Sequence, residues 1–183
     1  MAGSRAADPC PPVYPPHLIP LVELTANAET GRQVMDRSEA FYHDIGKITI
    51  RIKKGMPGHV ANRLQAAVWR EVVHMAIEGV VSLEDIDKAM WAGPGLRWAA
   101  MGPTTLFHLG AGEGGLQAFC DHFKDTFNGW WDDLGDPRLD DDTIKLLVDG
   151  MRAQVQGQSP AELSEQRDRM LTAMQSVSRN VRA

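Results

Sequence analysis

Several stretches of this chain carry side chains whose type and placement allow chemistry. Glu23 sits inside the apolar run Leu18-Ile19-Pro20-Leu21-Val22-Glu23-Leu24. A carboxylate placed there is either exposed on an edge or held by a partner. Asn62 stands near the start of a long helix opened by Gly58-His59-Val60-Ala61-Asn62-Arg63-Leu64. There a polar side chain either caps and packs locally or points from the core toward whatever lies at the helix N-terminus. Arg97-Trp98 sets a guanidinium beside an indole in the break Gly93-Pro94-Gly95-Leu96-Arg97-Trp98. That break is a tight connection with Trp98 filling the core, or a loop lining a pocket.

Other patterns promise less. Gly110-Ala111-Gly112-Glu113-Gly114-Gly115 spells G-x-G-x-x-G, but a dinucleotide loop needs a strand before it, a helix after it and a βαβ context. Thr104 to Leu109 read as helix, so close helix packing through small residues is the better account. The aspartates at 132, 133, 136, 140, 141 and 142 lack the spacing of a calcium loop and read as solvated or helix-start charges. Cys10 and Cys120 supply neither a disulfide framework nor metal-ligand spacing, and Cys120 falls within a helix.

Composition narrows the classes. With 183 residues, 43% apolar and 23% charged, the chain is one domain or slightly more, with a real core. The formal charge is −5 and no basic stripe is present, which argues against a nucleic-acid partner. No apolar run reaches the roughly 18 residues of a membrane span, and no signal-peptide pattern opens the chain. A cytoplasmic location is the default expectation.

The elements that must position these residues are mostly helices. Prolines exclude helix before about residue 20. The run at 18–24 and the alternating Ile48-Thr49-Ile50-Arg51-Ile52 read as strands that can pair with each other. Between them a helix runs to about Ile45, with Val34, Phe41 and Ile45 as its apolar face, and Gly46 stops it. The helix from Gly58 to about Glu78 has apolar residues on more than one side and reads as the central one. Ser82-Leu83-Glu84-Asp85 opens a further helix that buries Ile86, Ala89 and Met90. Thr104 to Phe127 reads as one long helical segment weakened by glycines, and Asn128 to Asp142 as a linker. A helix over 142–155 follows. Ser159-Pro160-Ala161-Glu162 then starts a last helix to about Ser178.

Taken together, Pro15 to Glu23, Phe41-Tyr42 through Gly46-Lys47, and the Asn62-Arg63-Leu64 helix opening resemble the 3-hydroxyacyl-CoA dehydrogenase superfamily. Trp69-Arg70-Glu71, Asp85-Ile86-Asp87, Gly93 to Trp98 and Met101-Gly102-Pro103 make it similar to the branch that holds L-carnitine dehydrogenase and lambda-crystallin, an L-gulonate dehydrogenase. The likeness runs from about Pro12 to Trp130. It implies an all-α fold like that family's C-terminal domain, with a short extended N-terminal segment. The expected division is a Pro-rich segment at 1–17, a helical domain at 18–130, and an acidic linker with two helices at 131–183. Family members add an NAD-binding Rossmann domain, and this chain resembles only their second part.

The resemblance also assigns roles. Glu23 falls on the carboxylate that orients the family's catalytic histidine, and Asn62 on the asparagine that polarises the substrate oxygen. The histidine's own place is taken by Pro11, and the asparagine of the same run by Tyr14. Hydroxyl oxidation needs a base at that point, and proline is none. His17 and His59 are the candidates to replace it, although a single histidine near such a site is more often a packing or surface residue. Trp69 and Trp98 with Arg97 suit a zwitterion, since an indole face attracts a quaternary ammonium and guanidinium grips a carboxylate. Core or dimer-interface anchoring is the competing role of those three.

The leading expectation is a homodimeric substrate-binding and assembly module that cannot run NAD-dependent oxidation alone. A second is a cofactor-independent lyase, dehydratase or isomerase using Glu23 and Asn62, with Tyr14 donating to an oxyanion. A third is the C-terminal part of an oxidoreductase completed by a separate Rossmann subunit, NAD entering only with that partner.

Overall fold

A computed structural model describes residues 13–26 and 30–182. Cys10 and Pro11 fall outside them. Two compact units arise, one from Met1–Ala67 with Arg167–Gln175, the other from Val68–Gln166 with Ser176–Ala183.

The first unit is built on a βαβ arrangement. Strand β1 (Leu21–Thr25) leads through helix α1 (Arg32–Asp44) to strand β2 (Ile48–Ile52). The strands run parallel, with Leu21 opposite Ile48 and Glu23 opposite Ile50. Parallel neighbours require a crossover connection, and α1 supplies it. Side chains alternate between faces along a strand, so Thr49 and Arg51 share one face. Both reach α1: Arg51 pairs with Asp36 at 2.7 Å and with Glu39, and Thr49 donates to Glu39 at 3.2 Å. The guanidinium holds the Glu39 carboxyl below its ordinary range. Met35 is the buried residue of α1, whereas Phe41 and Ile45 are exposed. The expected apolar face of that helix is therefore corrected. Its polar residues are used against β2 instead.

Helix α2 (Ala61–Ile77) buries only Val72 and Val73, leaving Leu64, Trp69 and Ile77 exposed. Its reading as a core-centred helix is not met among the described residues.

In the second unit, α3 (Leu83–Ala92) starts at Ser82, whose Oγ accepts from the Asp85 N–H at 3.1 Å. The return bond of a capping box is replaced by Ser82 Oγ donating to the Asp85 carboxylate at 2.9 Å. Aspartate is one methylene shorter than the glutamate that reaches back. Ile86 is buried as expected, but Ala89 is exposed. Helices α4 (Pro94–Ala100) and α5 (Pro103–Gly110) each begin with proline in the first turn. The Gly-Pro pairs taken for breaks are helix starts, where the missing N–H costs nothing.

The single helix expected over 104–127 is two. After α5, a 3-10 turn at Gly112–Gly114 leads into α6 (Gly115–Asp133). Gly112 and Gly115 have φ of 60° and 57°, conformations a helix interior excludes. Helix α6 then continues through Trp130 and Trp131, so the expected linker is helical up to Asp133. Helix α7 (Asp141–Val155) is capped by Asp140, which accepts from Thr143 at 2.9 Å. Helix α8 (Pro160–Arg182) opens on the reciprocal Ser159–Glu162 box read from the sequence.

Candidate functional site

Glu23 is the buried carboxylate of the first unit among the described residues. It is 4% exposed on β1. Its partner position on β2 is Ile50, so it lies on the face opposite Arg51 and α1. Oε1 accepts from the backbone N–H of Val60 at 2.8 Å and of Ala61 at 3.1 Å. These are donors at the opening of α2 that the helix itself leaves unpaired. Negative charge there also suits the helix dipole. The carboxylate in an apolar run thus resolves as one held by a partner, and that partner is the start of the Asn62 helix.

Asn62 is the second residue of α2 and is exposed, with no side-chain hydrogen bond among the described residues. The expectation that it points from the core is corrected. Sequence neighbours bring it to the corner that Glu23 organises. His59 stands in the preceding turn, half-buried, with φ 49°. Its N–H donates to the Met56 carbonyl at 3.0 Å. Glu23, His59 and Asn62 are thus the sequence-predicted residues that the fold gathers.

Tyr14 and His17 are not drawn in with them. Tyr14 is 81% exposed and His17 is exposed, and neither side chain makes a hydrogen bond among the described residues. Their loop is nonetheless fixed. Lys47 Nζ donates to the carbonyls of Pro16 at 2.7 Å and Ile19 at 3.1 Å. Gln175 Nε2 donates to the Leu18 carbonyl. Lys47 was not singled out as a site residue, because a lysine after a helix stop carries no signal of two carbonyl partners.

Trp69, Arg97 and Trp98 belong to the second unit and are exposed there. Arg97 and Trp98 lie on α4 rather than in a loop, so successive residues point about 100° apart on a 3.6-residue helix. Among the described residues none of the three side chains makes a hydrogen bond, ion pair or ring contact. Beside Trp69, the structure finds a contact the sequence did not advertise. Glu71 Oε2 accepts from the Gly135 N–H at 3.1 Å, and Arg70 lies 3.8 Å from Asp136. The segment after α6 is thereby tied to α2. His108 is likewise structural, its Nδ1 accepting from the Leu116 N–H at 3.1 Å at the start of α6.

Known proteins match both units. Residues 58–145 match the 3-hydroxyacyl-CoA dehydrogenase C-terminal domain, and residues 11–55 match the NAD-binding domain of the same enzymes. The view that the chain resembles only the second part is corrected for 11–55, the stretch that forms the parallel βαβ arrangement. The L-carnitine dehydrogenase of Nocardiopsis dassonvillei is 43% identical over 163 residues, 89% of this chain and 50% of that one. That of Streptomyces coelicolor is 41% identical over 171 residues, 91% of this chain and 54% of that one. The chain spans about half the length of the curated relatives it matches. In fold it is similar to a crystal structure of 5-formyl-3-hydroxy-2-methylpyridine 4-carboxylic acid 5-dehydrogenase, described as an NAD+-dependent dismutase. The TM-score is 0.72 at 24% identity, covering 94% of this chain and 55% of that one. With a buried glutamate joining the one matched segment to the first turn of the other, the chain belongs to the 3-hydroxyacyl-CoA dehydrogenase family, through its C-terminal domain and the adjoining end of the NAD-binding domain.

Proposed function

We propose that this chain is the substrate-binding and dimerising half of an NAD-dependent dehydrogenase of the 3-hydroxyacyl-CoA or L-carnitine type, and that alone it runs no NAD-dependent oxidation. The observation that carries this reading is the Glu23 carboxylate on the Val60 and Ala61 N–H groups. It keeps the Asn62 corner built even where Pro11 stands in place of a proton-accepting imidazole.

The residues present do not fit a dinucleotide. Among the described residues, the glycine run at 110–115 follows a helix and is split by a 3-10 turn. The only parallel strands described, β1 and β2, have no glycine-rich loop between them (Ala26 to Gly31). No hydride step is therefore assigned to this chain's residues.

A completed oxidoreductase is the second reading, and a specific feature favours it. Among the described residues the β1-β2 sheet has two parallel strands. All-parallel sheets occur almost only within larger α/β arrangements covered on both faces. A separate NAD-binding polypeptide contributing such an arrangement would supply the cofactor site. A cofactor-free lyase or isomerase would instead need Glu23 to leave its two backbone donors in order to move a proton.

On the ligand, Trp69, Trp98 and Arg97 favour a zwitterion with a quaternary ammonium and a carboxylate, the chemistry of L-carnitine. Titration of the purified chain with L-carnitine and, separately, with NADH tests the reading through indole fluorescence. A saturable change with L-carnitine and no energy transfer to NADH is expected. Transfer to NADH would overturn it.

A further inference from the structure

Within the second unit, α3 and α7 border a groove of about 270 Å³. Its walls are mostly apolar, with Val81, Leu83, Leu146 and Ala153 among them, and Ser82, Glu84 and Gln154 bring its polar side chains. Gly150 lets the two helices approach, since a Cβ there would lie 2.8 Å from Leu83 Cδ1. Gln154 Nε2 crosses from α7 to donate to the Asp87 carboxylate on α3 at 2.8 Å.

That bond fixes the amide. A carboxylate only accepts, so the reverse orientation would set oxygen against oxygen. Gln154 Oε1 is then left buried, with no hydrogen-bond partner among the described residues. Buried polar groups are almost always paired, so an open acceptor calls for a donor from outside the chain. Ser82 cannot supply it, because its one hydroxyl proton goes to the Asp85 carboxylate at 2.9 Å.

The surroundings set the charge of that donor. Helices α3 and α7 carry two carboxylates for each cation. Lys88, Lys145 and Arg152 are each already paired with a carboxylate. Glu84 keeps acceptor capacity after Lys88, since a carboxylate has about four lone-pair sites. Ala153 and Gln154 lie in the last turn of α7, the end of a helix dipole that attracts cations. Glu84 and Asp85 offset the opposite dipole end at the start of α3.

We propose that this groove binds a short primary alkylammonium ion. Its N–H groups donate to Gln154 Oε1 and to the Glu84 carboxylate, and its chain lies on Val81, Leu83 and Leu146. An ammonium has donors enough for both acceptors and one water. The volume, below that of pockets for drug-sized ligands, admits a chain of a few carbons. A quaternary ammonium has no N–H to give. The site is therefore separate from the one read at Trp69, Arg97 and Trp98, and stands or falls apart from it.

The test is a titration of the full, isotopically labelled chain with n-butylammonium chloride at neutral pH, followed by amide NMR. The Gln154 side-chain amide and the Gly150 N–H should shift saturably in the millimolar range. Butyltrimethylammonium chloride and n-butanol should each bind at least tenfold more weakly. Glu84→Gln, a change at a half-exposed side chain, should weaken n-butylammonium at least tenfold, and Ala153→Phe should abolish its binding by filling the groove. No saturable shift at these residues would leave Gln154 Oε1 to water and overturn the inference. Equal affinity for either analogue, or undiminished binding in either variant, overturns it as well.

Discussion

The Glu23 carboxylate accepts the Val60 N–H at 2.8 Å, joining the first strand to the opening of the Asn62 helix. With Glu23 4% exposed, the bond is shielded from water. Glu23→Ala leaves the Val60 and Ala61 donors without it and should cost about 1–3 kcal/mol, the usual penalty for buried unsatisfied groups. Glu23→Gln keeps an acceptor oxygen and should cost less. Urea unfolding of both variants checks the order; equal stability of Glu23→Ala and the parent would contradict it.

A second joint is steric. A Cβ on Gly135 would lie 2.1 Å from His74 Cγ, a distance no packing tolerates. Gly135→Ala is expected to destabilise by roughly 1–3 kcal/mol through overpacking, and His74→Ala in the same chain should recover part of that loss. Gly102→Ala, which meets nothing within 4 Å, serves as the near-neutral control. Thermal melts followed by circular dichroism give the comparison.

Acid should loosen the helix starts. The Thr143 N–H holds the Asp140 carboxyl below its ordinary value of 3.8, and the Ser159 N–H does the same for Glu162 against 4.5. For Asp85 the Ser82 hydroxyl is the main cause. A depressed folded-state value means the stabilisation is complete above the ordinary carboxyl range and is lost as pH falls through the folded value. Stability should therefore be flat, as far as these groups are concerned, from neutral pH to about 5 and decline below about 4. Asp140→Asn should flatten that decline. These groups are exposed, so the effect per residue is small.

Ligand recognition gives the fourth expectation. If Trp69 or Trp98 faces a quaternary ammonium, alanine at that position should weaken L-carnitine binding several-fold, in line with about 0.5–2 kcal/mol for a cation–π contact. Arg97→Gln should weaken it through the carboxylate, so that a carnitine ester would be insensitive to this change. Calorimetry with L-carnitine and its methyl ester separates the two contributions.

Much of the fold was legible because its signals are local. The alternation at 48–52 and the Ser159–Glu162 box needed only neighbours in sequence. Errors arose where one residue type serves opposite purposes. Pro94 and Pro103 each follow a glycine and open a helix instead of ending one. Asn128 to Asp142, with its acidic cluster, looked like linker, yet α6 runs through Gly129, Trp130 and Trp131 to Asp133. At the candidate site, Glu23 could be picked out as a carboxylate in an apolar run, but its backbone partners lie 37 and 38 residues away. The Lys47 and Glu71 contacts were invisible for the same reason. Of the small buried set, Ile86 was read from its helix's apolar spacing, whereas Met35 was not. Amphipathic spacing marks an apolar face without saying which chain covers it.

The most direct measurement is an assay of the purified chain, free of other polypeptides, for NAD reduction in the presence of L-carnitine. The account predicts no formation of reduced nicotinamide above the protein-free rate. Turnover that scales with the concentration of this chain alone would contradict it.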